Sequence, residues 1–564
     1  MNEETAHGNL RRSRYLVDRL VQSGVTHFIV CPGSRSTPLV YAAAERDDAT
    51  TFVHFDERGA AYYALGYARA ANRAAAVITT SGTAVPNLWP AVVEAANDRL
   101  PLVLLTADRP ARLRGTGANQ TIDQRRVFGS FADYRELEDT HALEGLPELG
   151  GLSYPLQINC SFDEPLLPSQ ETLRPREVFD STDTGHRAPA PEWSQNHLDR
   201  CLEFIASADC GIIVAGMLRG PKEAGAIAEL AAKLNWPLLP DITSGLRLGV
   251  SGSNVFAHYD LVLSAGARPV MQPLSVLHVG GRFVSKALLQ WLQQTEISRY
   301  WLLGPFSEPF DPVGRVTDRV IGPVAPICQA LTTEIKSEGA GSTSGSWRDY
   351  NKTAGQILSD NLYAAGELSG ASVTSAVVKL TPEDHGLFLA SSLPIRWADW
   401  FAPADGPRLR VGANRGASGI DGTVASAAGF AVGLGAPVTL LIGDQAVLHD
   451  LNSLAILRYV DFPVTVVILN NGGGGIFDHL PIREHKGVFE EYFVAARSFR
   501  FDSVAGQFDL PYLAPDSMAE FANALTAAVR GGSPSLIEVV TDRRSDLRRH
   551  RQIIDAVKTG LKSD

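Results

Sequence analysis

The sequence predicts an α/β protein of three doubly wound parallel-sheet domains, the central one Rossmann-like, and three observations carry that prediction. Short apolar, β-branched runs recur along the whole chain and alternate with helical patterns; continuous apolar strands of this kind belong to parallel sheets covered on both faces. Two polar stretches, Thr182-Asp183-Thr184-Gly185-His186-Arg187-Ala188-Pro189-Ala190-Pro191 and Ser337-Glu338-Gly339-Ala340-Gly341-Ser342-Thr343-Ser344-Gly345-Ser346, read as linkers and divide the chain into 1–184, 192–336 and 347–564. The length of 564 residues, at 45% hydrophobic and 20% charged, suits three or four globular domains of about 150 residues each.

Taken in order, Leu10, Leu16, Leu20 and Val21 mark a first amphipathic helix. Phe28-Ile29-Val30 leads into a loop and helix, residues 52–55 into a helix from Glu57, and Ala76-Val77-Ile78-Thr79 into a helix near Val85; Leu102-Val103-Leu104-Leu105 follows. In the middle part the strand candidates are Gly211-Ile212-Ile213-Val214, Leu261-Val262-Leu263 and Val276-Leu277-His278-Val279. In the last part they are Leu387-Phe388-Leu389, 438–442 and 464–469. The stretch 423–443 carries no charge, but Gly433, Gly435 and Pro437 interrupt it. A span needs about 20 predominantly apolar residues, so this stretch reads as a small-residue helix followed by a buried strand, and no membrane span is expected.

A net charge of -11 argues against nucleic acid or an anionic membrane as the main partner. An acidic chain can still hold small anions, but only with locally placed cations. The five cysteines, Cys31, Cys160, Cys201, Cys210 and Cys328, are odd in number and form no CxxC, which suits a reducing cytoplasm. Glu3 and Glu4 open the chain without an apolar segment, unlike a signal peptide. The histidines show no HExxH spacing, so no zinc site is expected. Arg543, Arg544, Arg548, Arg549 and Arg551 read as a solvated helix face or a subunit contact.

Ligands of doubly wound folds sit beyond the carboxyl ends of the strands. There the chain has Ile442-Gly443-Asp444 and, after the next strand, Leu469-Asn470-Asn471-Gly472-Gly473-Gly474-Gly475-Ile476-Phe477. One βαβ unit between Asp444 and Asn471 brings the two strand ends side by side. A carboxylate, an amide oxygen and glycine carbonyls are hard donors suited to Mg²⁺, which keeps a phosphate in its shell. Glycines and a helix N-terminus let a diphosphate approach. Alone, the pair equally fits a strand–turn–helix with capping Asp and Asn. A second signal is His54-Phe55-Asp56-Glu57-Arg58-Gly59-Ala60, with an acid at a strand-to-helix junction; alone, Glu57 also fits an ordinary helix N-terminal residue. A third is the loop Thr80-Ser81-Gly82-Thr83-Ala84-Val85-Pro86-Asn87-Leu88.

Together these motifs resemble the thiamine diphosphate enzymes. The resemblance implies that the Asp444 and Asn471 side chains and the Gly473 carbonyl hold Mg²⁺ (or Mn²⁺), and that Gly443, Gln445, Gly474, Ile476 and Phe477 complete the diphosphate end. Gln445 stands where the usual motif has glycine, so its side chain must turn away from the phosphates. Glu57 then serves as the acid hydrogen-bonded to the cofactor's pyrimidine ring, relaying the proton that activates it, with Ser81 and Gly82 beside it. In Arg415-Gly416-Ala417-Ser418-Gly419-Ile420-Asp421-Gly422, Ser418 and Ile420 match the segment under the bend of the cofactor; a plain core role for Ile420 stays open. The resemblance also implies a homodimer or a dimer of dimers, with each site formed by the first domain of one subunit and the third of another.

Five longer segments narrow the likeness: Pro32-Gly33-Ser34-Arg35-Ser36-Thr37-Pro38-Leu39, Thr106-Ala107-Asp108-Arg109-Pro110, Gly117-Ala118-Asn119-Gln120, Asn414-Arg415-Gly416-Ala417-Ser418-Gly419-Ile420-Asp421-Gly422 and Asp450-Leu451-Asn452-Ser453-Leu454. With the GDQ variant, they resemble the 2-succinyl-5-enolpyruvyl-6-hydroxy-3-cyclohexene-1-carboxylate synthase family of menaquinone (or phylloquinone) biosynthesis. The likeness runs over the whole chain and is weakest in the middle. It implies decarboxylation of 2-oxoglutarate and conjugate addition of the succinyl carbanion to isochorismate. Each substrate carries two carboxylates, which the planar fork of arginine matches. The implied substrate set is Ser34, Arg35, Arg109, Asn119, Gln120, Lys286, Ser392, Arg396 and Arg415; the implied catalytic set is Glu57, Gln120, Arg415, Ser34 and Arg35. For any one of the cations a solvated surface charge is the alternative. Lys286 ends Gly280-Gly281-Arg282-Phe283-Val284-Ser285-Lys286, which lacks the GK[ST] of a phosphate loop. Two rival readings are an acetohydroxyacid-synthase-like enzyme acting on pyruvate, and a non-catalytic binding protein on the same fold, against which the presence of Glu57 counts.

Overall fold

The structure is a computed structural model that describes residues 3–137, 152–176, 193–250, 252, 254–268, 273–306, 310–336, 344–363, 366–497 and 499–563. The stretch 182–191 read as the first linker lies outside the described residues, as do 337–343 of the second. Ser344, Gly345 and Ser346, read as the end of that linker, instead open the helix Ser344–Leu358. The described residues fall into two compact units: one within Met1–Pro189, Asn414–Ala436 and Ala446–Pro463, the other within Ala190–Ala413, Pro437–Gln445 and Val464–Asp564.

The first unit is built on β1 (His27–Val30), β2 (Thr50–Val53), β3 (Ala75–Thr79), β4 (Leu102–Asp108), β5 (Asp133–Leu137) and β6 (Pro155–Ser161), in the order β2-β1-β3-β4-β6-β5. Every pairing is parallel. β1, β3 and β4 are buried throughout, while β2 is an exposed edge. Phe28, Val30, Ile78, Leu105 and Ile158 join Leu16 and Leu20 of the helix Glu3–Gln22 in one core, which is why that helix shows its apolar stripe in the sequence.

The small-residue helix expected after residue 423 is Thr423–Leu434. It packs in the first unit against the helix Glu57–Ala71 with the backbones nearly touching: a Cβ on Gly66 would lie 2.0 Å from the Ser426 carbonyl oxygen, and one on Gly429 1.9 Å from that of Tyr63. Only residues without a side chain allow that approach. The Asp450 carboxylate accepts from the N–H groups of Val424 and Ala425 at 2.8 and 3.1 Å, satisfying donors that a helix start leaves open.

The second unit carries two all-parallel sheets. β7 (Gly211–Ala215), β8 (Leu238–Pro240), β9 (Leu274–Val279), β10 (Ile297–Gly304) and β11 (Asp318–Ile321) run in the order β11-β10-β9-β7-β8. β12 (Gly386–Leu389), β13 (Arg410–Gly412), β14 (Val438–Gly443), β15 (Val464–Asn470), β16 (Tyr512–Leu513) and β17 (Ser535–Val540) run β13-β12-β14-β15-β17-β16. The fold class is therefore the one the sequence predicts. In each sheet the strand order reverses beside the first strand, at β1/β3, β7/β9 and β12/β14, and in the first and third sheets the chain also doubles back at the far edge, where β5 lies outside β6 and β16 outside β17. Those reversals open the crevices in which such folds bind ligands.

One expectation is corrected and another is met in part. Leu261-Val262-Leu263 is not a strand but the centre of the helix Tyr259–Ser264, buried on all sides. A short apolar run has no period that separates a buried strand from a buried helix. The basic C-terminal run, on the helix Arg543–Ser563, is solvated at Arg544, Arg548 and Arg551, whereas Arg543 Nη1 donates to Asp478 at 2.7 and 2.6 Å and its Nη2 to Glu490 at 2.9 Å, and Arg549 donates to the Asn361 carbonyl. Among the described residues no helix is long and apolar enough to cross a membrane. All five cysteines are free.

Candidate active site

The loops after β1 and β3 meet at the first reversal. Ser34 is exposed in the β1 loop, whereas Arg35 is buried, its Nη1 donating to the Phe162 carbonyl at 3.0 Å and its Nη2 to Glu164 Oε1 at 2.8 Å. After β3, Ser81 is buried and its hydroxyl has no hydrogen-bond partner. A Cβ on Gly82 would lie 3.3 Å from the Gln120 backbone, and the Gly82 N–H donates to Gln124 Oε1 at 3.0 Å. Gln120 adopts a left-handed φ of 51° and is exposed. Arg109 donates from Nε to the Asn119 carbonyl at 2.6 Å, so Arg109, Asn119, Gln120, Gly82 and Ser81 form one cluster of loops.

Glu57 is the first residue of the helix Glu57–Ala71, whose N-cap is Asp56, accepting from Arg58 N at 3.0 Å and Gly59 N at 3.4 Å. With Asp56 occupied as the cap, Glu57 is half-buried and projects at the positive helix end. Its Oε2 accepts from Asn87 Nδ2 at 3.3 Å. Burial first, then the Glu57 and Asp56 charges, push the neighbouring Cys31 thiol well above its ordinary range.

Arg415, Ser418 and Ile420 share one loop. Arg415 is half-buried, with Nη1 enclosed and lacking a partner; Ser418 is exposed with φ 61°; Ile420 is half-buried. The loop rests on Glu94 of the helix Trp89–Asn97, whose carboxylate accepts from the N–H groups of Gly416, Ala417 and Ser418. Burial and the Asp98 charge push the Glu94 carboxyl up to about 7, against the pull of Arg69 and those N–H groups.

In the second unit, β14 and β15 pair in register from Val438↔Val464 to Gly443↔Leu469, so Asp444 and Asn471 emerge at adjacent strand ends. Asp444 is 4% exposed. Burial pushes its carboxyl up to about 6, opposed by the N–H groups of Gln445 and Gly473 and by the Gln445 side chain. Gln445 thus turns its amide back onto Asp444. The two asparagines part company: Asn470 donates to Glu538 and the Phe499 carbonyl, while Asn471 Oδ1 is enclosed and accepts nothing. Gly473 holds φ 148°, and a Cβ on it would lie 2.4 Å from the Val494 carbonyl oxygen. Gly474 donates to that same carbonyl at 2.8 Å. Ile476 and Phe477 follow on the short helix Gly475–His479, Ile476 packed against the core and Phe477 edge-on to Phe493.

At the reversal beside β14, Ser392 follows β12 with a strained φ of 73°, and its carbonyl accepts from Arg396 Nη1 at 2.6 Å. Backbone strain of this kind gathers at functional sites. Lys286 is exposed at the start of the helix Lys286–Gln294, after β9 and hence at the reversal of the middle sheet.

The residues fit a divalent cation and a diphosphate: a buried carboxylate beside a partnerless enclosed amide oxygen, and a glycine turn in which only backbone has room at Gly473 and Gly474. The enclosed, unpaired Ser81 hydroxyl is a matching gap in the first unit. Sequence reasoning missed Glu94, Asn87 as the partner of Glu57, and Gln124 as the acceptor behind Gly82. An acid inside the otherwise apolar Val92-Val93-Glu94-Ala95-Ala96 was the available signal for Glu94.

Comparison with known proteins defines the class first. The family model of the thiamine pyrophosphate enzyme N-terminal TPP binding domain matches residues 11–127, that of the middle domain of thiamine pyrophosphate 195–389, and that of the C-terminal TPP binding domain 396–539. A 2-succinyl-5-enolpyruvyl-6-hydroxy-3-cyclohexene-1-carboxylate synthase from Rubrobacter xylanophilus is 44% identical, covering 98% of this chain and 99% of its own. Proteins of the same name from Salinibacter ruber and Geobacillus kaustophilus are 40% and 36% identical, over 97% and 96% of this chain and 96% of each relative. The chain belongs to the 2-succinyl-5-enolpyruvyl-6-hydroxy-3-cyclohexene-1-carboxylate synthase family of thiamine pyrophosphate enzymes.

Proposed function

We propose that the chain is a thiamine diphosphate-dependent carboligase that decarboxylates 2-oxoglutarate and adds the resulting succinyl unit to isochorismate, a step of menaquinone biosynthesis. The observation that carries the cofactor assignment is the enclosed, partnerless Oδ1 of Asn471 at the strand end beside Asp444. Asp444, Asn471 and the Gly473 carbonyl would hold Mg²⁺ or Mn²⁺, with the glycine turn against the diphosphate. Bound thiamine diphosphate supplies the electron sink that decarboxylation of a 2-oxo acid needs.

The chain's own groups do the rest. Glu57 holds a proton at its carboxyl for the pyrimidine ring nitrogen, and Asn87 Nδ2 fixes the other carboxylate oxygen. Ser81 and Gly82 would lie at the pyrimidine end of the bound cofactor, and Ile420 with Ser418 would support it from the loop 415–422. Arg109, Arg415 and Arg396 carry guanidinium groups to the substrate carboxylates, with Ser34, Asn119, Gln120, Ser392 and Lys286 as further donors. Each charge-assisted hydrogen bond is worth about 1.5–3 kcal/mol, and fixing both substrates converts an encounter into an oriented reaction. Arg35, already paired with Glu164, shapes the β1 loop as well as contributing charge. The exposed Val53 and Phe55, 64% and 59% accessible beside Glu57, support a homodimer or dimer of dimers with sites shared between copies.

Pyruvate carries a single carboxylate, so a pyruvate-consuming relative would need fewer cations than the motif loops present. Purified protein with Mg²⁺ and thiamine diphosphate is therefore assayed with 2-oxoglutarate plus isochorismate and, separately, with pyruvate. Carbon dioxide release and adduct formation are expected only in the first; consumption of pyruvate alone would overturn the assignment.

A further inference from the structure

The loop that carries Arg415, Ser418 and Ile420 is fixed at both ends by side chains of the first domain. At its start, Glu94 is 1% exposed, with Oε1 accepting from Gly416 N at 2.7 Å and Oε2 from Ala417 N at 2.6 Å and Ser418 N at 3.3 Å. Successive N–H groups closing on one anion form a nest. Here the anion is the protein's own carboxylate. The fit leaves no slack: a Cβ on Gly416 would lie 2.2 Å from the Glu94 carbonyl oxygen. Behind the nest, Arg69 Nη2 stands 3.4 Å from Glu94 Oε1 and 2.7 Å from Asp98 Oδ2. At the far end, the Tyr62 hydroxyl donates to Asp421, and Thr423 Oγ1 donates to the Ile420 carbonyl at 3.0 Å. Between these anchors Ser418 is held in the left-handed region, which an L-residue adopts only under outside constraint.

We propose that Glu94 is a positioning residue for the cofactor reaction: its carboxylate sets the backbone of residues 416–418, and through it the places of Arg415 and Ile420. The inference rests on the reading of loop 415–422 as a cofactor- and substrate-binding loop. A glutamine at 94 keeps one acceptor oxygen but turns an NH₂ towards N–H donors, so the nest cannot close on it. A purely structural role in the Arg69–Glu94–Asp98 group would instead lower stability and leave ligand affinity alone.

Thiamine diphosphate is titrated calorimetrically, with Mg²⁺ and without substrate, into the full-length chain and three variants. Glu94→Gln attacks the nest from the helix, Gly416→Ala attacks it from the loop, and Val92→Ala opens a cavity in the same helix. Glu94→Gln and Gly416→Ala are expected to weaken thiamine diphosphate by about tenfold or more. Val92→Ala, which loses thermal stability, should bind within about twofold of the unaltered chain. Affinities of Glu94→Gln and Gly416→Ala equal to that of Val92→Ala would overturn the role of Glu94; should Glu94→Gln not fold, Gly416→Ala decides alone. No saturable binding by the unaltered chain would overturn the cofactor reading itself, and this inference with it.

Discussion

Asn470 Nδ2 donates to Glu538 Oε1 at 2.6 Å, and so the first of two adjacent asparagines is committed to the sheet while the second is not. Glu538, 1% exposed, also takes the Phe501 N–H at 3.0 Å and the Tyr512 hydroxyl at 2.5 Å. Asn470→Ala withdraws a donor from that buried carboxylate and should cost about 1–3 kcal/mol of stability. Asn471→Ala removes an oxygen that accepts nothing within the chain, so the melting temperature of the metal-free protein should hold, while Mg²⁺ and thiamine diphosphate bind more weakly. Thermal melts and a metal titration on both variants separate the two roles; an unstable Asn471→Ala with intact metal affinity would reverse them.

Glu57→Gln keeps the size of the side chain and an oxygen for Asn87 but removes the carboxyl that can give and take a proton. Thiamine diphosphate affinity should stay near that of the unaltered chain, while turnover falls by about 10²–10⁴-fold. Calorimetry beside a steady-state assay reads both. Undiminished turnover would remove Glu57 from the reaction.

Burial pushes Asp450 up from 3.8 to about 6 in the folded chain, despite the Ser453 hydroxyl and the N–H groups of Val424 and Ala425. The folded state therefore binds a proton that the unfolded chain has already released. Stability contributed by this group is present at low pH, is lost as pH rises from about 4 to about 6, and stays constant above. Asp450→Asn lacks that titration. The unfolding free energy of the unaltered chain, minus that of Asp450→Asn, should fall by up to about 1.4 kcal/mol per pH unit across that window. Denaturant melts from pH 4 to 8 measure it, and a flat difference would place the carboxyl at its ordinary value.

What could be read from the sequence was what local pattern encodes. The strands β1, β3, β4, β14 and β15 are uninterrupted apolar runs, and the glycine turn after Asn471 announces a close backbone approach. β5 escaped notice because Asp133-Tyr134-Arg135-Glu136-Leu137 is an edge strand with alternating polar positions, and β16 because two residues carry no period. The run Leu261-Val262-Leu263 misled because burial on every side erases the difference between strand and helix. The anchor of the site loop was hidden for a different reason. Glu94 and Gly416 lie 322 residues apart, and nothing local to either says that a helix acid will meet three loop amides. Arg35 likewise looks from its motif like a free cation, and only the fold brings Glu164 to it.

Asp444 is nearly enclosed, and burial pushes its carboxyl up to about 6 from 3.8. At neutral pH the ionised group thus costs the metal-free fold on the order of 3 kcal/mol, since each pKa unit is worth about 1.36 kcal/mol. A cation held by Asp444 and Asn471 would offset that cost, because a ligand that binds only the folded state stabilises it. Chelation should therefore lower the melting temperature of the unaltered chain and weaken thiamine diphosphate. Asp444→Asn, with no charge to bury, should melt above the chelated parent, gain nothing from added Mg²⁺, and bind thiamine diphosphate equally with and without chelator. Melts and cofactor titrations of both proteins, each with Mg²⁺ and with chelator, form a cycle whose coupling isolates the metal contact. If Mg²⁺ stabilised Asp444→Asn as much as the parent, the cation would have to be held elsewhere.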